Sequence, residues 1–162
     1  MQTKIITERF LLNILMEGDH DFMRELVNTE GWLQFIGDRN IHSKEAAIAY
    51  INKINGTPNF YYWVVRLKDT HRPVGIITFI KREYLTHFDI GFAFLPEYNG
   101  KGYAYEAANK VLSCVRLQRQ YQTVLATTLP GNVRSIKLLV NLGFHFDQEI
   151  VVGNNQLHVY ST

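Results

Sequence analysis

The sequence predicts an α/β fold built on a mixed, mostly antiparallel sheet, and three observations carry that prediction. Three β-branched and aromatic runs, "FYYWVVRLK" (60–68), "PVGIITFIKR" (73–82) and "HFDIGFAFLP" (87–96), follow one another with short turn-like segments between them, as strands of an antiparallel meander do. Helical patterns precede and follow this meander. Between the third run and the next helix lies a glycine-bearing turn, the position at which sheets of this class bind ligands.

The elements read in order as follows. "TKIITERFLLNIL" is β-rich with partial alternation and predicts a first strand around 10–14. In "HDFMRELVNT", Phe22, Leu26 and Val27 recur at helical spacing. "SKEAAIAYINKINGTP" is a clearer helix: Ser43 is its N-cap, Glu45 an acid in its first turn, and Ala47, Ile48, Ile51 and Ile54 its apolar face, with Gly56 and Pro58 ending it. After the meander, a helical pattern runs from Gly102 through Arg116. "TVLATTL" (123–129) predicts a strand, "NVRSIKLLVNLGF" a helix stopped by Gly143, and "LHVYS" a last strand.

Composition narrows the function. The 162 residues, 46% hydrophobic and 20% charged, suit one domain spanning 1–162. A formal charge of +2, with scattered Lys and Arg, argues against nucleic acid as a partner. One cysteine, Cys114, excludes an internal disulfide framework, and its helical position with Ala107 and Val111 makes it a core residue rather than a nucleophile. The histidines show no HxxxH or HExxH spacing, so no metal is expected. No apolar stretch long enough for a membrane span and no signal-peptide pattern occur, so a cytoplasmic location is expected.

The segment "LPEYNGKGYAYEA" (95–107) holds the sharpest chemical signal. A helix N-terminus offers unpaired amides and the positive end of its dipole, and Gly100 and Gly102 permit positive φ and close approach of a ligand. Together they predict a phosphate held by backbone, although Gly-x-Gly alone also occurs in plain turns. A P-loop is excluded because Gly102 follows Lys101, and a dinucleotide fingerprint because Tyr105 stands where a third small residue is needed. Glu106 favours the helix start electrostatically.

The same residues resemble the coenzyme A pyrophosphate loop of the GNAT superfamily of N-acetyltransferases, Gln/Arg-x-x-Gly-x-Gly/Ala, falling on Asn99, Gly100, Lys101, Gly102, Tyr103 and Ala104. Asn99 departs from the usual Gln or Arg. "NVRSIKLLVNLGF" resembles a second family motif through Asn132, Ser135, Leu138, Leu139, Gly143 and Phe144, and "HFDIGFAFLP" the strand before the loop. Residues 31–51 look like the acceptor-side helices of the RimJ/RimL-like branch.

The resemblance implies a sheet flanked by helices, with the strands at 91–95 and 123–129 splayed around pantetheine. It implies acetyl-CoA as cosubstrate, held by the amides near Phe94 and Leu95, by the loop 99–104 and by Asn132. An amine, on a small molecule or a protein N-terminus, would attack the thioester directly. The tyrosine that many relatives use as the acid is replaced by Leu139. Ser135, one turn earlier, is the candidate acid or else a helix-start residue bonding Asn132. Asp89 is the candidate base or else a solvated strand-edge acid; alternation puts it on one face with Gly91 and Ala93, opposite Ile90, Phe92 and Phe94. Trp32, Phe35, Asp38 and Arg39 are the candidate acceptor residues, the two aromatics being alternatively core. A monomer or homodimer fits the resemblance. The rival functions are a catalytically weak acyl-CoA-binding or sensor domain, and a structural module in which the loop is only a turn.

Overall fold

The computed structural model describes residues 1–162. In chain order it comprises β1 (Lys4–Ile6), β2 (Phe10–Ile14), α1 (His20–Val27), α2 (Glu30–Phe35), α3 (Lys44–Gly56), β3 (Phe60–Leu67), β4 (Pro73–Ile80), β5 (Asp89–Phe94), α4 (Tyr103–Arg116), β6 (Leu125–Thr128), α5 (Val133–Asn141), β7 (His145–Val152) and β8 (Asn155–Ser161). One eight-stranded sheet runs β1-β2-β3-β4-β5-β6-β8-β7. Every neighbouring pair is antiparallel except β5 and β6.

Helices cover both faces of the sheet. On one face Ala107, Ala108, Val111, Leu112 and Val115 of α4 pack with Phe10, Leu12, Trp63, Val65, Ile77, Phe79 and Ile90. On the other, Phe22, Met23, Leu26 and Val27 of α1 and Ala47, Ile51 and Ile54 of α3 pack with Val64, Ile76 and Leu95. Neighbours Trp63 and Val64 therefore serve opposite cores, as a period of two requires. The near-continuous apolar runs of β3 and β4 follow from burial on both sides. Each large side chain fully removed from water there contributes about 1.5–3 kcal/mol of transfer free energy.

Helix punctuation is local. The Ser43 hydroxyl accepts the Ala46 amide at 3.1 Å and starts α3; Gly143, at φ +89, ends the turn after α5. Two strands lie outside the sequence reading. β1 pairs back on β2 through the Thr7–Arg9 turn, and β7 forms a hairpin with β8 around Gly153 and Asn154, with Val152 opposite Asn155. β7 escaped because most of it is exposed and its apolar residues do not alternate with polar ones, so it carries no core signature. The Gly-Asn pair, with Gly153 at φ +59, is the hairpin signal that was present.

Candidate functional site

β5 and β6 meet at a single register pair, Asp89 with Leu125, and then separate. Amide direction alternates along a strand. The Leu95 amide donates to the Val74 carbonyl at 2.9 Å, toward β4. The amides of Phe92 and Phe94 consequently point the other way, into the gap. The expectation that Leu95 shares in holding a ligand is thus corrected: its amide is used by the ladder, its carbonyl accepts from Tyr98 at 3.0 Å, and its side chain is buried in the second core. Gly75 opposite Phe94 is needed because a Cβ there would stand 2.5 Å from the Phe94 ring and 2.7 Å from the Ala93 carbonyl oxygen.

At the mouth of this gap the loop leads into α4. Gly100 and Gly102 both have φ +74, and Gly102 is the N-terminal cap residue with no side chain to satisfy the helix. The first intrahelical bond is the Glu106 amide to the Gly102 carbonyl, 3.1 Å. The amides from Gly100 through Tyr105 therefore have no acceptor in the protein. Such a run of free donors, at the positive end of a helix, forms an anion-binding concavity. Lys101 adds a cation, its ammonium 5.5 Å from the centre of the Tyr98 ring, and Tyr98 stacks on Tyr103 at 6.1 Å.

Glu106 does more than favour the helix start. Its Oε1 accepts the Thr7 hydroxyl at 2.6 Å and the Arg9 amide at 2.9 Å, and its Oε2 accepts Arg9 Nε at 2.5 Å. Burial pushes the carboxyl up, but these donors and the Arg9 charge outweigh it and hold it below the usual glutamate range.

Across the gap, the Asn132 side-chain oxygen accepts the Ser135 amide at 3.2 Å and caps α5. That bond uses the backbone of Ser135, a half-buried residue whose hydroxyl makes no hydrogen bond within the protein. Leu139 is buried in the core and offers no proton.

On the α1–α3 face, the idea that Asp89 is a solvated strand-edge acid is overturned. Its side chain is 3% exposed; Arg82 Nε donates to Oδ1 at 3.0 Å and to Oδ2 at 2.9 Å, and the Thr127 hydroxyl donates to Oδ2 at 3.3 Å. Burial pushes the carboxyl above the ordinary aspartate range, while Arg82 and Thr127 pull it back without cancelling the shift. Gly91, on the same face, leaves room for the Thr78 hydroxyl, which a Cβ would approach to 2.6 Å. Tyr62 lies near Tyr50, Arg82 and Arg39, and burial pushes its phenol up.

The acceptor candidates divide. Trp32, 5% exposed, belongs to the second core, which corrects its assignment as a substrate-facing ring. Phe35 is half-buried at the end of α2, and Asp38 and Arg39 are exposed in the loop beyond it, where the Asp38 carboxylate accepts the Asn40 amide at 2.7 Å.

Residues 9–145 match the model of the acetyltransferase (GNAT) domain. The chain belongs to the GNAT acetyltransferase family. An uncharacterized N-acetyltransferase of Bacillus subtilis, YnaD, is 29% identical over 139 residues, covering 86% of this chain and 81% of that protein. The GNAT-family acetyltransferase of Bacillus anthracis overlays with a TM-score of 0.83 at 24% identity, over 98% of this chain and 97% of that one. Ribosomal-protein-S5-alanine acetyltransferase of Vibrio fischeri overlays at 0.79 with 19% identity, over 99% and 96%.

Within this GNAT chain, sequence reasoning missed Thr7, Arg9 and Arg82. Arg9 lies 97 residues from Glu106, and no local pattern marks such a pair. Arg82 sits in the turn between two strands, where a cation reads as ordinary solvated surface. The free amides at 100–105 and the Phe94 amide border the gap, while the buried Asp89 carboxylate lies where β5 and β6 still pair.

Proposed function

We propose that the protein transfers the acetyl group of acetyl-CoA to a primary amine by direct attack. The observation that carries this reading is the run of free amides from Gly100 through Tyr105 beside the β5–β6 gap. Bound there, acetyl-CoA supplies an activated thioester carbonyl. The loop amides and Lys101 would neutralise the pyrophosphate. Asn99, at the loop's start, and the side-chain amide of Asn132, whose oxygen is occupied by the cap, border the same cofactor. Gly102, Tyr103 and Ala104 let it lie close to the helix.

The Phe94 amide, aimed into the gap, serves as the donor for the pantetheine and the thioester oxygen. Asp89 accepts the amine's proton through water, its raised affinity for protons suiting it to that task. Ser135 Oγ passes a proton to the departing thiolate as the new C–N bond forms and the C–S bond breaks, and takes one back from solvent water. Phe35, Asp38 and Arg39 border the acceptor, with Asp38 suited to an ammonium and Arg39 to a carboxylate.

The branch favoured is RimJ/RimL-like, supported by the 31–51 segment, and on that reading a protein N-terminus stands beside amino acids and small amines as acceptor. A single acetyltransferase domain over 1–162, monomeric or homodimeric in the cytoplasm, completes the proposal.

The test is isothermal titration with acetyl-CoA, followed by a thiol-release screen over amines, amino acids and N-terminal peptides. Binding with release supports the transferase. Binding without release on any acceptor favours the sensor reading, for which Leu139 in the acid's place is the motivating residue. Gly102→Glu should abolish binding, because it sets a negative charge and a strained left-handed backbone in the cradle.

A further inference from the structure

The loop 99–104 is pinned from the far edge of the sheet. The turn between β1 and β2 carries Thr7 and Arg9, and Glu106 of α4 gathers both: hydroxyl, backbone amide and guanidinium all donate to one carboxylate. Thr7 is itself preset, its oxygen accepting the Phe10 amide at 2.9 Å. Arg9 then spans from the helix to the loop, with Nη1 donating to the Lys101 carbonyl at 3.2 Å and the guanidinium 4.6 Å from the centre of the Tyr103 ring. The ring of Phe10 meets Tyr103 edge-on at 4.9 Å. Nη2 lies 3.7 Å from the place a Gly102 Cβ would take.

An ordinary surface ion pair contributes little, about 0–1 kcal/mol. This pair differs in its geometry. Glu106 is only 18% exposed, takes three donors including a main-chain amide, and its own amide makes the first intrahelical bond of α4. A loop with two left-handed glycines has many alternative conformations, and a bond to the carbonyl between those glycines removes them.

We infer that Glu106, Arg9 and Thr7 form a latch that presets the loop Gly100–Ala104 for the coenzyme's phosphates, making Glu106 and Arg9 positioning residues. The inference rests on the acetyl-CoA reading above. Because the latch acts on the phosphate cradle, its loss weakens binding of the phosphate-bearing cosubstrate and leaves the chemistry at the thioester alone.

Glu106→Gln and Thr7→Val test this, each against wild type with two probes: acetyl-CoA, and S-acetylpantetheine, which lacks the phosphates. The expected result is a roughly tenfold rise in Kd and KM for acetyl-CoA in Glu106→Gln, a smaller rise in Thr7→Val, and an unchanged kcat and unchanged KM for S-acetylpantetheine. Without any coenzyme, trypsin should cut after Lys101 faster in Glu106→Gln than in wild type. Equal acetyl-CoA affinity in the variants, equal loss with both probes, or unchanged cleavage at Lys101 overturns the latch. Wild type failing to bind acetyl-CoA while the cleavage difference persists overturns the functional reading and leaves the loop-ordering role standing.

Discussion

Asp89 and Arg82 are joined through one nitrogen: Nε of Arg82 donates to both oxygens of Asp89, at 3.0 and 2.9 Å, and the guanidinium lies 6.0 Å from the centre of the Tyr84 ring. The pair is unequal in exposure, with side chains 34% and 3% accessible. Most of the pair's contact with solvent falls to the arginine, and the aspartate is nearly covered.

That inequality predicts which half is dearer to lose. Arg82→Leu leaves a buried carboxylate without its cation and should cost about 3 kcal/mol, at the low end for a broken buried pair because Arg82 is partly exposed. Asp89→Asn leaves a guanidinium that water can reach and an oxygen that still accepts, and should cost about 1 kcal/mol. In Tm this is about 6–12 °C against about 2–4 °C for a chain of this length. The deficit of Arg82→Leu should also depend on pH. Without Arg82, burial alone acts on Asp89 and raises its folded value further above the unfolded 3.8. The folded state then holds the proton more tightly than the unfolded chain, so the penalty is absent at low pH and grows as pH rises through the folded value. Melting curves of both variants from pH 4 to 8 check the order and the slope.

Gly75 sets the shape of the gap. A Cβ at that position would meet Phe94 Cδ1 at 2.5 Å, Cγ at 2.6 Å and the Ala93 oxygen at 2.7 Å, and the last of these is backbone that cannot rotate away. Gly75→Ala should therefore push the end of β5 off β4, costing about 1–3 kcal/mol of overpacking. It should also shift the Phe94 amide and raise KM for acetyl-CoA. Unchanged melting would mean that β5 yields freely.

Glu106 makes a separate prediction for acid stability. Its carboxyl is held below the ordinary 4.5, so the unfolded chain takes up the proton first as pH falls. The contribution of Glu106 is complete above about 4.5 and is lost as pH drops through the folded value. Wild type should lose stability more steeply than Glu106→Gln between pH 5 and 3. Parallel curves would mean that the carboxylate adds nothing beyond what an amide provides.

What the sequence disclosed divides along a physical line. Features that act through neighbours in the chain were legible: the α3 cap at Ser43, the stop at Gly143, the left-handed glycines of the loop and the two faces of β5 all follow from local dihedrals or a period of two. Features that depend on the distant chain were not. Whether Leu95 offers its amide to a ligand or to Val74 depends on strand register, which residue type does not report. Trp32 fits an acceptor cleft and a core equally well until the helix pair is packed. Glu106 has a helix-start role that any first-turn acid shares, and its bonds to Thr7 and Arg9 exist only once the sheet is assembled.

Ser135 offers the sharpest separation of structure from chemistry. Its backbone amide is bound by Asn132, while its hydroxyl has no partner in the protein. Ser135→Ala should then leave stability within about 0.5 kcal/mol of wild type. Asn132→Ala should cost about 1 kcal/mol through the lost cap. If the hydroxyl protonates the thiolate, Ser135→Ala should lower kcat about 100-fold, the low end for a general acid because the thiolate leaves readily, with KM for acetyl-CoA unchanged. Ser135→Thr, which keeps the hydroxyl, should recover much of the rate. An unaltered kcat in the alanine variant would move the proton to water. A fall in kcat accompanied by a fall in Tm would mean that the side chain supports the start of α5 instead.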